Sequence, residues 1–589
     1  MGKSFMPAPQ LQQHANGETP TAFTLRDQPM HANRHLRVIG VGAGASGLCL
    51  AYKLKHYFTD FTLNIYEKNE DIGGTWFENR YPGCACDIPA HNYTYSFHPN
   101  PDWSANYASS KEIYKYFTDF ADTYGLREYF SCNHEVIGTV WDEAAKEWNI
   151  RIKKPDGTEF GQSCDFFINA AGILNNWRWP DVTGLDSFKG PLLHSAAWDE
   201  SVDLAGKRVG LIGNGSSGIQ ILPQIEKIAS HVTTFFRSPT WVSPAKGMEY
   251  HKYTDEERAA FRNVPGKHLE MRKATEKAIA VDTFPLLIRG SASNLAAEGY
   301  MREQMQLKLG NEELASRLLP QFPVGCRRFT PGVGYLESLG KENVTVVFDE
   351  VVKLTPTSCI TRNNTEIELD AMICATGFDT SFRPRFSIVG RGGKDLRDQW
   401  ADEPRSYLSI AAHGFPNYFM FLGPNSPVGN GPFIVAMETE ADYMAQLMDR
   451  WQKEDVTSFD PKLQAVNDFI EQKDSAMSRT VWTGACPCWY KDRRSGKIIA
   501  LWPGSTLHYM EALAQPRYED YDITYRNRNR FAYFGNGFSQ TELCPDIDPV
   551  AYIRDGDDGV PISRRLQLGG TWNAKTIGDV LTIAKKPTM

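Results

Sequence analysis

Val38-Ile39-Gly40-Val41-Gly42-Ala43-Gly44-Ala45-Ser46-Gly47 decides the fold: an apolar strand runs straight into Gly-x-Gly-x-x-Gly, and a helical stretch, Leu48–Lys55, follows at once. Gly42 permits the tight turn and Gly44 lets backbone amides approach a pyrophosphate. Gly47 allows the helix to pack closely on the strand, so that the helix N-terminus, with Ser46 in its first turn, faces the phosphates. The next strand, Thr62–Tyr66, ends at Glu67, where an acid can accept hydrogen bonds from a ribose diol. Strand, loop, helix and acid together predict a dinucleotide site.

The pattern returns once. Val209-Gly210-Leu211-Ile212-Gly213-Asn214-Gly215-Ser216-Ser217-Gly218 leads into a second helical stretch, Ile219–Ala229, with Gln220 near its start. Here the following strand, Val232–Phe236, runs into Arg237-Ser238, so a cation stands where the first copy has its acid. That exchange suits a ribose bearing a 2′-phosphate. Two such sites on one chain imply electron transfer between two cofactors, FAD at the acidic site and NADPH at the basic one. The residues alone do not say whether the reduced flavin serves oxygen, a disulfide or a protein partner.

Working outward, short β-branched runs ending near glycine recur at Phe166–Gly172, Val344–Phe348, Met372–Gly377 and Tyr418–Gly423, with helical patterns between several of them. This predicts an α/β protein with two Rossmann-like dinucleotide-binding domains, the second inserted into the first. The expected division is a disordered tail over 1–33, first-domain segments at 34–180 and 344–450, the insert at 181–343, and a C-terminal region, 451–589, covering the active site. Within the insert, 245–325 reads as a helical subdomain, as in Glu312–Leu319. Arg526, Arg528 and Arg530 alternate with asparagines and read as solvated surface.

At 589 residues the chain exceeds one hydrophobic core. Its 63 Lys and Arg against 71 Asp and Glu give a net charge of -8, which disfavours nucleic acid and anionic lipid as partners, and no long apolar run suggests a membrane span. The first thirty-odd residues lack a signal-peptide core, so a cytoplasmic location is expected. Eleven cysteines form no dense framework, and the pairs Cys84/Cys86 and Cys486/Cys488 are spaced too closely for the usual zinc or redox motifs. Reduced thiols and no bound metal are the expectation.

Phe188-Lys189-Gly190, His194 and Trp198-Asp199 match the Phe-x-Gly-x-x-x-His-x-x-x-Trp-Asp fingerprint of type I Baeyer–Villiger monooxygenases, and Gly73-Gly74-Thr75-Trp76 through Tyr81-Pro82-Gly83 to Asp87 is similar to that family's other signature. The resemblance runs from about 35 to 510. It implies a monooxygenase that uses FAD, NADPH and O2 to convert a small-molecule ketone into an ester or lactone. It further implies that Thr75, Trp76, Asp87 and Tyr93 surround the flavin, that Val136 lies near the adenine, and that Gly172 and Gly377 mark the crossovers between domains. Arg328 is the implied active-site arginine, held by Asp87. Arg327 would reach the 2′-phosphate, and Trp502 in Leu501-Trp502-Pro503-Gly504 resembles a mobile-loop tryptophan that closes over NADP. His194, in the linker before the second domain, suits a satisfied hydrogen-bonding role better than proton transfer. An N- or S-oxygenating flavoprotein and a flavin reductase are the alternatives; the lack of a Cys-x-x-Cys pair beside the flavin loop counts against the reductase.

Overall fold

A computed structural model of the chain describes residues 23–242, 247–543, 548–550 and 552–556. Its larger unit holds residues 35–449 and 457–524, and its smaller unit gathers residues up to 34, 450–456 and from 525 on.

The larger unit is built on two parallel five-stranded sheets. Across the first, the order is Tyr418–Met420, Phe166–Asn169, Leu36–Val41, Phe61–Tyr66 and Phe130–Ser131. Leu36–Val41 lies centrally, Val38 standing opposite both Leu63 and Phe166. Strands covered on both faces need apolar residues at nearly every position, and Leu36, Val38 and Ile39 are accordingly buried. The second sheet runs Val344–Val347, His231–Phe235, Arg208–Ile212, Ala371–Cys374 and Leu192–His194. A separate sheet formed by Glu135–Asp142, Glu147–Lys153, Glu159–Cys164 and Ser387–Val389 carries Val136.

All eight runs read from the sequence are strands, but two belong elsewhere. Val344–Val347 pairs with His231–Phe235 and Ala371–Cys374 pairs with Arg208–Ile212, so the second sheet extends past the expected boundary at 343 and the first sheet resumes only near 418. Both sheets ask for the same buried β-branched runs; partner choice rests on tertiary register, which composition does not carry.

The expected helical segment is present as Asp255–Asn263, Lys267–Glu276, Ala292–Leu309 and Glu312–Leu318. Met301, Met305 and Leu309 share a core with Ile219, Leu222 and Leu336, which fixes the segment on the second domain. In the smaller unit Arg26 pairs with Asp455 at 2.8 Å and the Met30 amide donates to the Phe538 carbonyl at 2.8 Å. Residues 23–33 are thus tied down, against the expectation of a tail; the polar composition hides backbone bonds to a distant segment, and residues 1–22 lie outside the described residues. No helix among the described residues is long and apolar enough to cross a membrane.

Candidate active site

Both nucleotide loops open where glycine is required. Gly42 has φ 104° and a Cβ there would lie 2.5 Å from the Ala170 carbonyl oxygen; Gly213 has φ 109° and a Cβ would lie 2.4 Å from that of Ala375. At Gly47 and Gly218 a Cβ would fall 2.1 Å from the carbonyls of Gly42 and Gly213, so helix and turn touch backbone to backbone. The helices that follow, Ala45–Tyr57 and Ser216–Ile225, have Gly44 and Gly215 at their N-caps and no side-chain cap bond. Their first N–H groups are left for an anion.

The first loop faces a cavity of about 620 Å³, within the range of small-molecule sites. Its wall brings together Gly42, Gly44, Ser46, Glu67, Thr75, Trp76, Asp87, Tyr93, Val136, Ser216, Ser217, Gln220 and Arg328, thirteen of the twenty-two positions read from the sequence. Glu67 is buried and accepts bonds from the amides of Ala43 (2.8 Å) and Asn69 (2.9 Å), so its carboxylate is fixed at the mouth of the first loop. Trp76 donates to the Tyr93 hydroxyl at 3.3 Å. Gln220, on the second domain's helix, accepts from Tyr81 and donates to the Ala85 carbonyl, both at 2.8 Å. A Cβ at Gly83 would lie 2.4 Å from the Gln220 carbonyl oxygen, which explains the glycine in Tyr81-Pro82-Gly83: the two domains meet there at backbone distance.

Arg328 reaches the same wall. Its Nε and Nη2 donate to the two oxygens of Asp87 at 2.5 and 2.7 Å, its Nη1 donates to the Val428 carbonyl at 3.1 Å, and its guanidinium carbon stands 4.8 Å from the Phe433 ring centre. A forked pair of this kind fixes direction as well as charge. Burial works against the charged form, but the facing Asp87 carboxylate outweighs it and holds the guanidinium above its ordinary range. Leu422, Phe433, Met437 and Trp489 supply apolar wall in the same cavity.

Comparison with known proteins agrees with this geometry. Residues 41–109 match the model of an NAD(P)-binding Rossmann-like domain. The chain is 39% identical over 553 residues to the FAD-binding monooxygenase tazF of Aspergillus terreus, covering 90% of this chain and 97% of that protein. It is 33% identical over 498 residues to a Baeyer–Villiger monooxygenase of Streptomyces coelicolor, covering 83% and 93%. The chain belongs to the Baeyer–Villiger flavoprotein monooxygenases. A solved steroid monooxygenase bound to NADP superposes with TM-score 0.73 at 28% identity over 84% of this chain and 100% of its own, and OTEMO in complex with FAD and NADP does so with TM-score 0.73 at 25% over the same shares.

As a Baeyer–Villiger monooxygenase the chain is an NADPH-dependent enzyme with FAD and NADP as cofactors, and its second loop fits the latter. Asn214 donates to the Ser238 carbonyl at 2.8 Å, and Arg327 donates to the Pro239 carbonyl at 3.0 Å and lies 3.5 Å from the Ser238 hydroxyl. Arg237 follows the strand His231–Phe235; its side chain is 74% exposed, with Glu350 at 3.6 Å. Burial pushes the Arg327 guanidinium below its ordinary range, opposed by Cys488 and helped by the charge of Arg237.

The fingerprint histidine of this monooxygenase is not on the cavity wall. His194 is buried, stacks on Trp177 at 4.4 Å, lies 3.2 Å from the Thr376 hydroxyl through Nε2 and accepts the Ala196 amide at Nδ1 (3.1 Å). Burial lowers its pKa to about 4, so it is neutral and ties together the two crossover segments. Trp502 also lies off the wall, against the expectation of a closing residue: it is buried against Phe469 and bonded to His508 at 2.9 Å. Its apolar neighbours Leu501 and Ala500 signal a packed segment, whereas Trp489, in the irregular Cys486-Pro487-Cys488-Trp489 stretch, joins Trp76 on the wall. A second correction concerns the thiols. Cys326 and Cys486 form a disulfide across 160 residues, a pairing set by tertiary approach that spacing does not reveal. Among the described residues no cluster of His, Cys, Asp and Glu is arranged to hold a metal.

Proposed function

We propose that the chain inserts one atom of O2 beside the carbonyl of a small-molecule ketone, giving an ester or lactone. The observation that carries this reading is Arg328, fixed by the Asp87 fork against the Phe433 ring on the cavity wall. Bound FAD, reduced by NADPH, supplies the activated oxygen. Attack on a ketone turns its carbonyl oxygen anionic, and a preorganised positive charge in a water-poor site stabilises that oxygen more than the neutral ketone. Arg328 contributes this charge permanently, because arginine stays protonated at any working pH. Asp87 is the positioning residue: it sets the direction of the guanidinium.

The remaining residues orient the cofactors. Gly42, Gly44 and Ser46 present the uncapped helix to the pyrophosphate of FAD, Glu67 takes its ribose, Val136 stands at the adenine end, and Thr75, Trp76 and Tyr93 border the flavin. Gly213, Asn214, Gly215, Ser216 and Ser217 receive NADPH, Gly47 and Gly218 keep the two turns tight, and Arg237, Ser238 and Arg327 select the 2′-phosphate. The test is NADPH consumption against linear, cyclic and aryl ketones, alongside tertiary amines and sulfides, with products identified. Esters or lactones from ketones support the reading; N-oxides or sulfoxides with untouched ketones contradict it.

A further inference from the structure

Cys326 immediately precedes Arg327-Arg328 and is fully buried, and its disulfide partner Cys486 opens the stretch that carries Trp489 to the cavity wall. The bond therefore ties the segment of the candidate arginine to a second wall of the same cavity. A third sulfur stands beside it. Cys488 is a free thiol, more exposed than the bonded pair, with its Sγ 3.9 Å from that of Cys486. Lys491 holds the stretch from the other side: its Nζ donates to the carbonyls of Gly484 and Cys486, the latter at 3.1 Å, and lies 3.7 Å from the Cys486 sulfur. Burial disfavours the Cys488 thiolate, while the charges of Lys491 and Arg327 favour it.

We infer that Cys326, Cys486 and Cys488 form a thiol–disulfide exchange site that sets the placement of Arg328. The Cys488 thiol gives its proton to solvent and its sulfur attacks Cys486 Sγ. The Cys326–Cys486 bond breaks as the Cys486–Cys488 bond forms, and the Cys326 sulfur leaves with the electron pair and takes up a proton. One disulfide and one thiol enter and leave, so neither oxidant nor reductant is consumed. The accessible thiol is the attacking one, which lets a buried bond exchange without an outside thiol reaching it. In the first state Arg328 is anchored one residue from a covalent cross-link. In the second, Cys326 is released and the arginine keeps only its own side-chain contacts, with Asp87, Val428 and Phe433 among them. Cys326 and Cys486 are positioning residues in this scheme, and its consequence for catalysis rests on the role proposed above for Arg328.

The test uses the holoenzyme. Protein equilibrated without reductant, quenched in acid and alkylated is digested and its linked peptides are mapped. Wild type is expected to give both 326–486 and 486–488 linkages, and Cys488→Ser the 326–486 linkage alone with product per NADPH at or above the wild-type value. Cys326→Ser is expected to keep FAD and NADPH oxidation while product per NADPH falls, by up to about 100-fold, the scale of a misplacement of about 1 Å. A merely structural bond would instead lower FAD content and leave that ratio unchanged. Should Cys326→Ser fail to fold, wild type opened with dithiothreitol gives the same reading. Free Cys326 and Cys486 after the acid quench, no 486–488 linkage in wild type, or an unchanged ratio once the bond is opened would each overturn the inference. Arg328→Ala measured alongside separates the two claims: wild-type product formation in that variant removes the arginine's role, whatever linkages the peptides show.

Discussion

The two nucleotide loops are the same device with different fittings. Gly42 and Gly213 share a φ within a few degrees, and Gly47 and Gly218 close on their turns at the same backbone distance. The side chains that follow the second strand of each differ. Glu67 is buried and held by two backbone amides, so its geometry exists before any ligand arrives. Arg237 projects into solvent beside Glu350, while Arg327 is half-buried and donates to the Pro239 carbonyl. A preorganised site loses less freedom on binding than one whose contacts must be ordered. On the function proposed above, the first loop retains its cofactor through many turnovers and the second exchanges it.

The largest effect tests what stands between the loops. Arg328→Ala should keep FAD and still accept NADPH, yet lose ester or lactone formation by about 100- to 1000-fold, the usual cost of removing a preorganised partner of a developing oxyanion. Raising or lowering the pH should not restore it. Rapid-mixing measurements of the reductive and oxidative half-reactions, made separately, check this; equal losses in both would make the arginine a general structural element.

The loops themselves can be broken one at a time. Gly42→Ala and Gly213→Ala each force a side chain to positive φ, at about 1–2 kcal/mol, and onto a carbonyl oxygen besides. Gly42→Ala should purify largely without flavin absorbance, whereas Gly213→Ala should stay yellow and lose NADPH turnover by at least about tenfold. Loss of flavin from both would erase the distinction between the sites. A finer cut is Arg237→Ala, expected to weaken NADPH use by about tenfold through one lost charge-assisted contact, with NADH use nearly unchanged. Steady-state kinetics with both nucleotides decide it, and equal losses would mean that Arg237 does not read the phosphate.

The smallest effect lies at the crossover joining the halves. His194 is neutral in the folded chain, its pKa lowered by burial from 6.5 to about 4. Between these values the unfolded chain binds a proton that the folded chain refuses, so this contribution is intact above pH 6.5 and is lost as pH falls toward 4. Thermal unfolding at pH about 7.5 and about 5 should show a smaller drop for His194→Gln than for wild type; identical drops would mean the histidine is not held neutral.

How much of this was legible in the sequence follows from what each feature depends on. The loops, the strands and Glu67 were readable because glycine at positive φ, uninterrupted β-branched runs and a carboxylate after the second strand are local demands, whereas Thr75, Trp76, Asp87, Tyr93, Val136 and Arg328 came only through the resemblance to the family's signatures. The sheet membership of Val344–Val347 and Ala371–Cys374 was not, since either sheet would accept those runs. That Trp489 lines the cavity could not be read because an irregular stretch offers no periodicity, while Leu501-Trp502 signals burial and is buried. The Cys326–Cys486 bond joins residues 160 apart, and only the folded chain brings them together.

The central claim, that the chain places an atom of O2 next to a ketone carbonyl, is tested most directly by turnover of its best ketone with NADPH under 18O2 and mass analysis of the product. The account predicts an ester or lactone carrying one 18O, in the ring or ester oxygen, with the other product oxygen unlabelled. NADPH oxidation that yields only hydrogen peroxide, or a labelled N-oxide or sulfoxide with every ketone left intact, would contradict it.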